Sequence, residues 1–172
     1  NTIKDFDIKY GNDSNERLFI YMALQVVHDP QQVPDEYLNL YPSTMYSNRR
    51  LMDAMASLMD NAVMNITKIL KSTGIWNDTI LLFTADNGGC TGVDSKSGNN
   101  WPLRGGKHSD FEGGVPATSF ISGGYLPDHR RGQSLDGYIH ICDWYQTCAD
   151  LVGVSISSLP SLTNETIPDI DS

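Results

Sequence analysis

A helix-spaced apolar stripe lies between two segments that read as buried strands, and this order limits the chain more than any other feature. Leu51, Met55, Leu58, Ala62, Ile66 and Ile69 recur at intervals of 4, 3, 4, 4 and 3 residues, the period of one helix face. Met52, Met59, Val63 and Leu70 widen that face, so the helix is expected to pack broadly onto a sheet. Its methionines read as core filler, since Met adapts to irregular gaps. Ser47 is the expected N-cap, and Gly74 stands where a terminal glycine belongs. Before the helix, Leu18 to Leu24 is apolar without interruption; after it, Thr79 to Ala85 is a second buried-type strand. Such runs suit strands covered on both faces. A third short strand is expected from about Ala117 to Ile121, and Asp143 opens a last helix closed by Gly153. Strand, helix, strand, loop, strand and helix predict an α/β fold class with a mainly parallel sheet flanked by helices.

Composition narrows the partners. The 172 residues allow one domain with a real core. Twelve Lys and Arg against 21 Asp and Glu give a net charge of −9, which argues against nucleic acid as a partner. The longest apolar run has seven residues, far below the ~20 of a membrane span, and no leader-like segment opens the chain. Cys90, Cys142 and Cys148 are too few for a disulfide framework. On a helix, Cys142 and Cys148 would lie about 9 Å apart along the axis, too far to bridge; all three are expected as buried small hydrophobes. Asn12, Asn65, Asn77 and Asn164 each open an Asn-x-Ser/Thr triplet, predicting a glycosylated protein of the secretory pathway.

In open α/β sheets, ligands collect at the carboxyl ends of the strands. His28 follows the first expected strand by a few residues, and Asp86 and Asn87 follow the second at once. Lys107 lies in the long Gly-, Ser- and Asn-rich loop between Cys90 and Gly114, and loops of such length are usually functional or mobile. Singly, each has a bland reading: His28 and Asp86-Asn87-Gly88-Gly89 as turns, Lys107 as a solvated charge. Together they form a chemical set. A carboxylate beside a carboxamide suits a hard cation such as Ca²⁺ or Mg²⁺. A Lys and a His supply donors for a tetrahedral oxyanion, sulfate or phosphate. Metal, ammonium and imidazole together fit cleavage of an anionic ester, with the His protonating the departing oxygen.

Four stretches carry a family resemblance: Leu24-Gln-Val-Val-His28-Asp-Pro30, Phe83-Thr-Ala-Asp86-Asn87-Gly88-Gly89, Asn99-Asn-Trp-Pro-Leu-Arg-Gly-Gly-Lys107 and Phe111-Glu-Gly-Gly-Val115. In order and spacing they resemble the second half of the catalytic domain of type I sulfatases, most of all the arylsulfatase B (N-acetylgalactosamine-4-sulfatase) branch. The likeness runs from about Leu18 to Gly153. It implies an alkaline-phosphatase-like fold, with Asp86 and Asn87 binding Ca²⁺ and His28 and Lys107 contacting the sulfate as catalytic and substrate-binding residues. The sequons at Asn65 and Asn77 fall where that branch tends to carry them. Gln146 stands where relatives commonly have Pro, and Pro116 where they commonly have Arg.

The family's nucleophile is a formylglycine made from the Cys of a Cys-x-Pro/Ala-x-Arg signature, which none of the three Cys matches. Two protein ligands are also too few for a cation that takes six to eight oxygens. Residues 1–172 are therefore expected to be the C-terminal half of the catalytic domain, without the nucleophile half and the C-terminal subdomain, and inactive alone. The resemblance implies a calcium-dependent sulfate-ester hydrolase, lysosomal or extracellular. Its substrate would be a sulfated sugar or aryl sulfate, with sulfated N-acetylgalactosamine of glycosaminoglycans foremost. The alternatives are a catalytically dead sulfated-glycan binder and a phosphoesterase of the same superfamily. Arg104, Lys107 and His108 share one loop, so a cationic site can sit within an acidic surface.

Overall fold

The computed structural model describes residues 2–11, 15–91 and 98–154. It divides at Arg131 into two compact units, Asn1–Arg131 and Gly132–Ser172. In the first unit, helices α1 (Thr2–Tyr10), α2 (Asp35–Leu38) and α3 (Ser47–Ser72) precede a 3-10 turn at Ile75–Asp78 and strands β1 (Leu81–Thr84) and β2 (Ser119–Ser122). The second unit carries α4 (Asp143–Leu151), which ends before Gly153 as expected.

Helix α3 follows the apolar stripe and stops at Thr73, with Gly74 left-handed at φ 81°. Its start differs by one residue: Arg50 N–H already donates to Tyr46 O at 2.9 Å, so Tyr46 rather than Ser47 takes the N-cap position. Three side-chain links staple the α2 region to this helix. The Arg50 guanidinium donates to Tyr41 O and Leu38 O, both at 3.0 Å; Tyr41 Oη lies 2.7 Å from Ser57 Oγ; and Asn61 donates to the Tyr37 hydroxyl. Arg50 thereby adds a second donor to Leu38 O at the end of α2, which also accepts from Tyr41 N–H at 3.2 Å. The buried hydrophobic residues, Ile3, Ala54, Met55 and Leu70, come from α1 and α3.

The expected α/β fold class holds, and among the described residues the sheet is a single pair. Strands β1 and β2 pair antiparallel, Leu81 opposite Ser122 and Thr84 opposite Ser119, and form a two-stranded sheet. A mainly parallel sheet is thus not what this pair forms. Parallel neighbours need a crossover, usually a helix, whereas the described residues between β1 and β2 contain no helix, so the chain returns on itself. Leu18–Leu24 is no strand either: no described segment pairs with it, and Phe19 and Tyr21 stand 76% and 84% exposed. Helix α3 accordingly packs chiefly on α1, α2 and the 3-10 turn instead of broadly on a sheet. Two strands, spaced about 4.8 Å, are too narrow to cover a 26-residue helix about 39 Å long. Phe83 and Phe120 stack across the pair at 5.0 Å and fix its register.

The three Cys are unbridged, but none is buried: Cys142 is exposed, and Cys90 and Cys148 are half-buried. Of the four sequons, Asn65 and Asn77 are exposed on α3 and the 3-10 turn, while Asn12 and Asn164 lie outside the described residues. No helix among the described residues is long and apolar enough to cross a membrane.

Met55, 2% exposed, tests the packing of α3. In the full-length protein, Met55→Ala is expected to cost about 2–5 kcal/mol in denaturant unfolding. Met64→Ala on the same helix, 44% exposed, should stay within about 0.5 kcal/mol. Equal losses at the two positions would contradict this packing.

Candidate active site

The site begins where β1 runs out. Ala85 N–H still donates across the pair to Thr118 O at 2.9 Å, so Asp86 is the first residue beyond the ladder. The Asp86 side chain is exposed and that of Asn87 half-buried. Among the described residues, neither has a hydrogen-bond or ion-pair partner. Two oxygen groups are therefore free at the strand end.

Behind them the backbone turns hard against the long loop. Gly88 N–H donates to Gly114 O at 2.9 Å, and a Cβ on Gly88 would lie 1.9 Å from Gly113 O, so only glycine fits. The Gly89 peptide is held from the loop side. Its N–H donates to Asn100 Oδ1 at 2.8 Å, and its carbonyl accepts from Asn100 Nδ2 at 2.8 Å and from Lys107 N–H at 3.1 Å. Asn100 Nδ2 also donates to Gly105 O at 3.1 Å. Gly106 permits the approach, since a Cβ there would meet Gly89 O at 2.7 Å. Ser109 closes the turn by donating to Gly106 O at 2.7 Å.

Lys107 projects from this joint to His28. Its Nζ lies 3.2 Å from His28 Nε2, across 79 residues of sequence. An ammonium can only donate, so Nε2 is the acceptor and the imidazole proton sits on Nδ1. Nδ1 is 2.9 Å from Asp29 O, where that proton is donated. Both contacts require one tautomer. Lys107 and His28 are thus in direct contact, while Asp86 and Asn87 are linked to Lys107 through the backbone at Gly89.

A cleft of about 280 Å³ opens beside Asn87, with Gly89, Asn100, Trp101, Leu103 and Thr118 among its walls. Trp101 is 84% exposed, yet its backbone is fixed: Trp101 N–H donates to Asn99 Oδ1 at 3.0 Å. Arg104 lies over the Phe111 ring at 3.8 Å, so its charge is already engaged. Sequence reasoning gave no role to Asn100 or Trp101, although both stand in a motif it singled out. The available signal was a carboxamide in a glycine-rich loop, a side chain whose separate acceptor and donor ends can meet the N–H and the C=O of one residue.

Asp86 and Asn87 have the right chemistry for a hard cation, supplying two of the six to eight oxygens Ca²⁺ takes. No cluster of three or more His, Cys, Asp or Glu suited to a metal occurs among the described residues.

A family model described as Sulfatase matches residues 3–154. Arylsulfatase J of Mus musculus is 39% identical over 140 residues, covering 81% of this chain and 23% of that protein. N-acetylgalactosamine-6-sulfatase of Canis lupus familiaris is 28% identical over 151 residues, covering 86% and 27%. Arylsulfatase A of Homo sapiens is 32% identical over 122 residues, covering 69% and 23%. The chain spans about a quarter of the length of these curated relatives. Among solved structures, Ps i-CgsB in complex with k-i-k-neocarrahexaose matches with a TM-score of 0.77 at 28% identity, covering 90% of this chain and 33% of that one. Ps i-CgsB alone matches with a TM-score of 0.71 at 30% identity, covering 79% and 29%.

Gly88→Ala is expected to destabilise the full-length protein by about 3 kcal/mol, because the added Cβ meets backbone that cannot move aside. Gly137→Ala, with open space around its Cβ, is the control and should shift stability by less than about 0.5 kcal/mol. Thermal unfolding of the two variants decides the point.

Proposed function

The chain belongs to the sulfatase family, and from that premise we propose that it contributes part of the catalytic site of a sulfate-ester hydrolase with an alkaline-phosphatase-like fold. The observation that carries this reading is the contact between Lys107 Nζ and His28 Nε2, joined through Gly89 to the open oxygens of Asp86 and Asn87.

Lys107 supplies a fixed positive charge to the sulfate oxygens, where negative charge must be offset as the S–O bond breaks. His28 faces the same space through Nε2, because Asp29 O holds Nδ1. With a proton on Nε2, His28 donates it to the departing alcohol oxygen as the ester S–O bond breaks; the sulfuryl group passes to the attacking oxygen nucleophile, and water supplies the fourth oxygen of the sulfate finally released. Asp86 and Asn87 would hold a Ca²⁺ ion, which when bound supplies further positive charge toward the sulfate oxygens. The nucleophile expected of the family, a formylglycine, is not formed from Cys90, Cys142 or Cys148, whose surroundings do not match its signature.

A saccharide sulfate is the substrate class we favour. One relative is named for N-acetylgalactosamine-6-sulfate chemistry, and one structural neighbour was captured with k-i-k-neocarrahexaose. The cleft beside Asn87 presents the exposed Trp101 to a sugar ring, and an aromatic face beside polar side chains suits such a ring. Within that class, the Asn-Asn-Trp-Pro-Leu-Arg-Gly stretch favours the arylsulfatase B type of substrate, a sulfated N-acetylgalactosamine of glycosaminoglycans. The exposed sequons at Asn65 and Asn77 support a secretory-pathway, lysosomal or extracellular setting.

The full-length protein should hydrolyse 4-nitrocatechol sulfate. Lys107→Ala is expected to lower kcat/KM by about 10²–10³-fold, as loss of a charge-stabilising donor does. His28→Ala is expected to lower kcat by about 10²–10⁴-fold, the range of a general acid. Absence of turnover by a wild-type protein with calcium and confirmed formylglycine would refute the hydrolase; glycan binding without hydrolysis would then identify the non-catalytic homologue.

A further inference from the structure

We propose that Asn100 is a positioning residue: its carboxamide sets the Asp86–Asn87 pair and Lys107 at a fixed separation, so that cation and sulfate are held by one rigid unit. This rests on the sulfate-ester reading of the same site. Asn100 touches neither the side chains of Asp86 and Asn87 nor that of Lys107 in any hydrogen bond; it grips the backbone between them. Its Oδ1 and Nδ2 take the N–H and C=O of Gly89, two residues after Asn87, and Nδ2 also reaches Gly105 O, two residues before Lys107. Lys107 N–H completes the joint on Gly89 O.

A carboxamide is the group this arrangement demands. Oδ1 meets a donor while Nδ2 meets two carbonyls, so both ends of the side chain are used. Aspartate keeps the first contact and sets an anion against two carbonyl oxygens. Alanine leaves the partly buried Gly89 N–H unpaired and takes one of two donors from the Gly89 carbonyl. Unmet polar groups away from water are unfavourable, so in either variant the turn relaxes and the two halves of the site lose their register. Groups that orient a ligand indirectly are worth about 10–100-fold in metal affinity or activity.

The experiment compares full-length wild type with Asn100→Asp, Asn100→Ala and the core variant Met55→Ala. Three quantities are measured: Ca²⁺ affinity of chelator-treated protein by calorimetry, inhibition by inorganic sulfate, and kcat/KM for 4-nitrocatechol sulfate. Asn100→Asp is expected to weaken Ca²⁺ and sulfate together by about 10-fold each, with kcat/KM falling about 10–100-fold. Met55→Ala lowers thermal stability but leaves both affinities of the folded protein within about 2-fold. If Asn100→Asp and Asn100→Ala lower stability as Met55→Ala does, yet bind Ca²⁺ and sulfate like wild type, Asn100 is structural only and the proposal fails alone. If wild type binds neither ion and turns over no sulfate ester, the reading of the site fails and takes this proposal with it.

Discussion

The peptide group of Gly89 is where strand and loop become one object. Its N–H and C=O are both committed to residues 100 and 107, and the carbonyl takes two donors. A partly buried peptide with such partners is far better satisfied than one left to scarce water. The neighbouring glycines follow from that contact: Gly88 lies against Gly113, and Gly106 against Gly89 itself. Side chains at these positions would hold the loop off the strand end. The position of Lys107, and through it the contact to His28, therefore depends on a backbone joint and not on the charges it displays.

The parts legible in the sequence were those set by local pattern. Helix α3, the place of β1 (though shorter than the expected Thr79 to Ala85) and the end of α4 before Gly153 all follow from period and punctuation. Asp86 and Asn87 were legible because a strand end is where ligands gather in such folds, and their placement needs only the length of β1. Strand pairing was not legible in the same way. Leu18–Leu24 has the composition of a buried strand, but a strand exists only beside another, and no described segment pairs with it. The antiparallel pairing of β1 with β2 depends on how residues 85 to 118 return, which no local period encodes. Asn100 escaped for a related reason: a carboxamide in a polar loop has no role until the chain brings Gly89 within 3 Å of it.

A net charge of −9 would seem a poor home for an anionic substrate. The local arrangement resolves this. Arg104 is drawn onto Phe111, which leaves Lys107 as the cation directed at His28. The Asp86 carboxylate, which alone would repel sulfate, stands beside the Asn87 carboxamide, and in the proposed site the two would seat a cation. On the proposed reading, a Ca²⁺ ion at that edge would reverse its sign, because a divalent ion outweighs one carboxylate. On that reading a bound cation and a bound sulfate would favour each other's presence, the coupling that a rigid joint between their binding groups would preserve.

The pairing of Lys107 with His28 carries the last constraint. The ammonium has three donors and spends one on Nε2, so two remain for sulfate oxygens without breaking the contact. That holds only while His28 is neutral. Once Nε2 gains the proton needed by a leaving oxygen, both groups are donors and the contact between them becomes repulsive. An anion between them then relieves the repulsion by accepting from each. Asp29 O fixes the ring's orientation, because it holds Nδ1 and leaves Nε2 as the nitrogen turned toward Lys107.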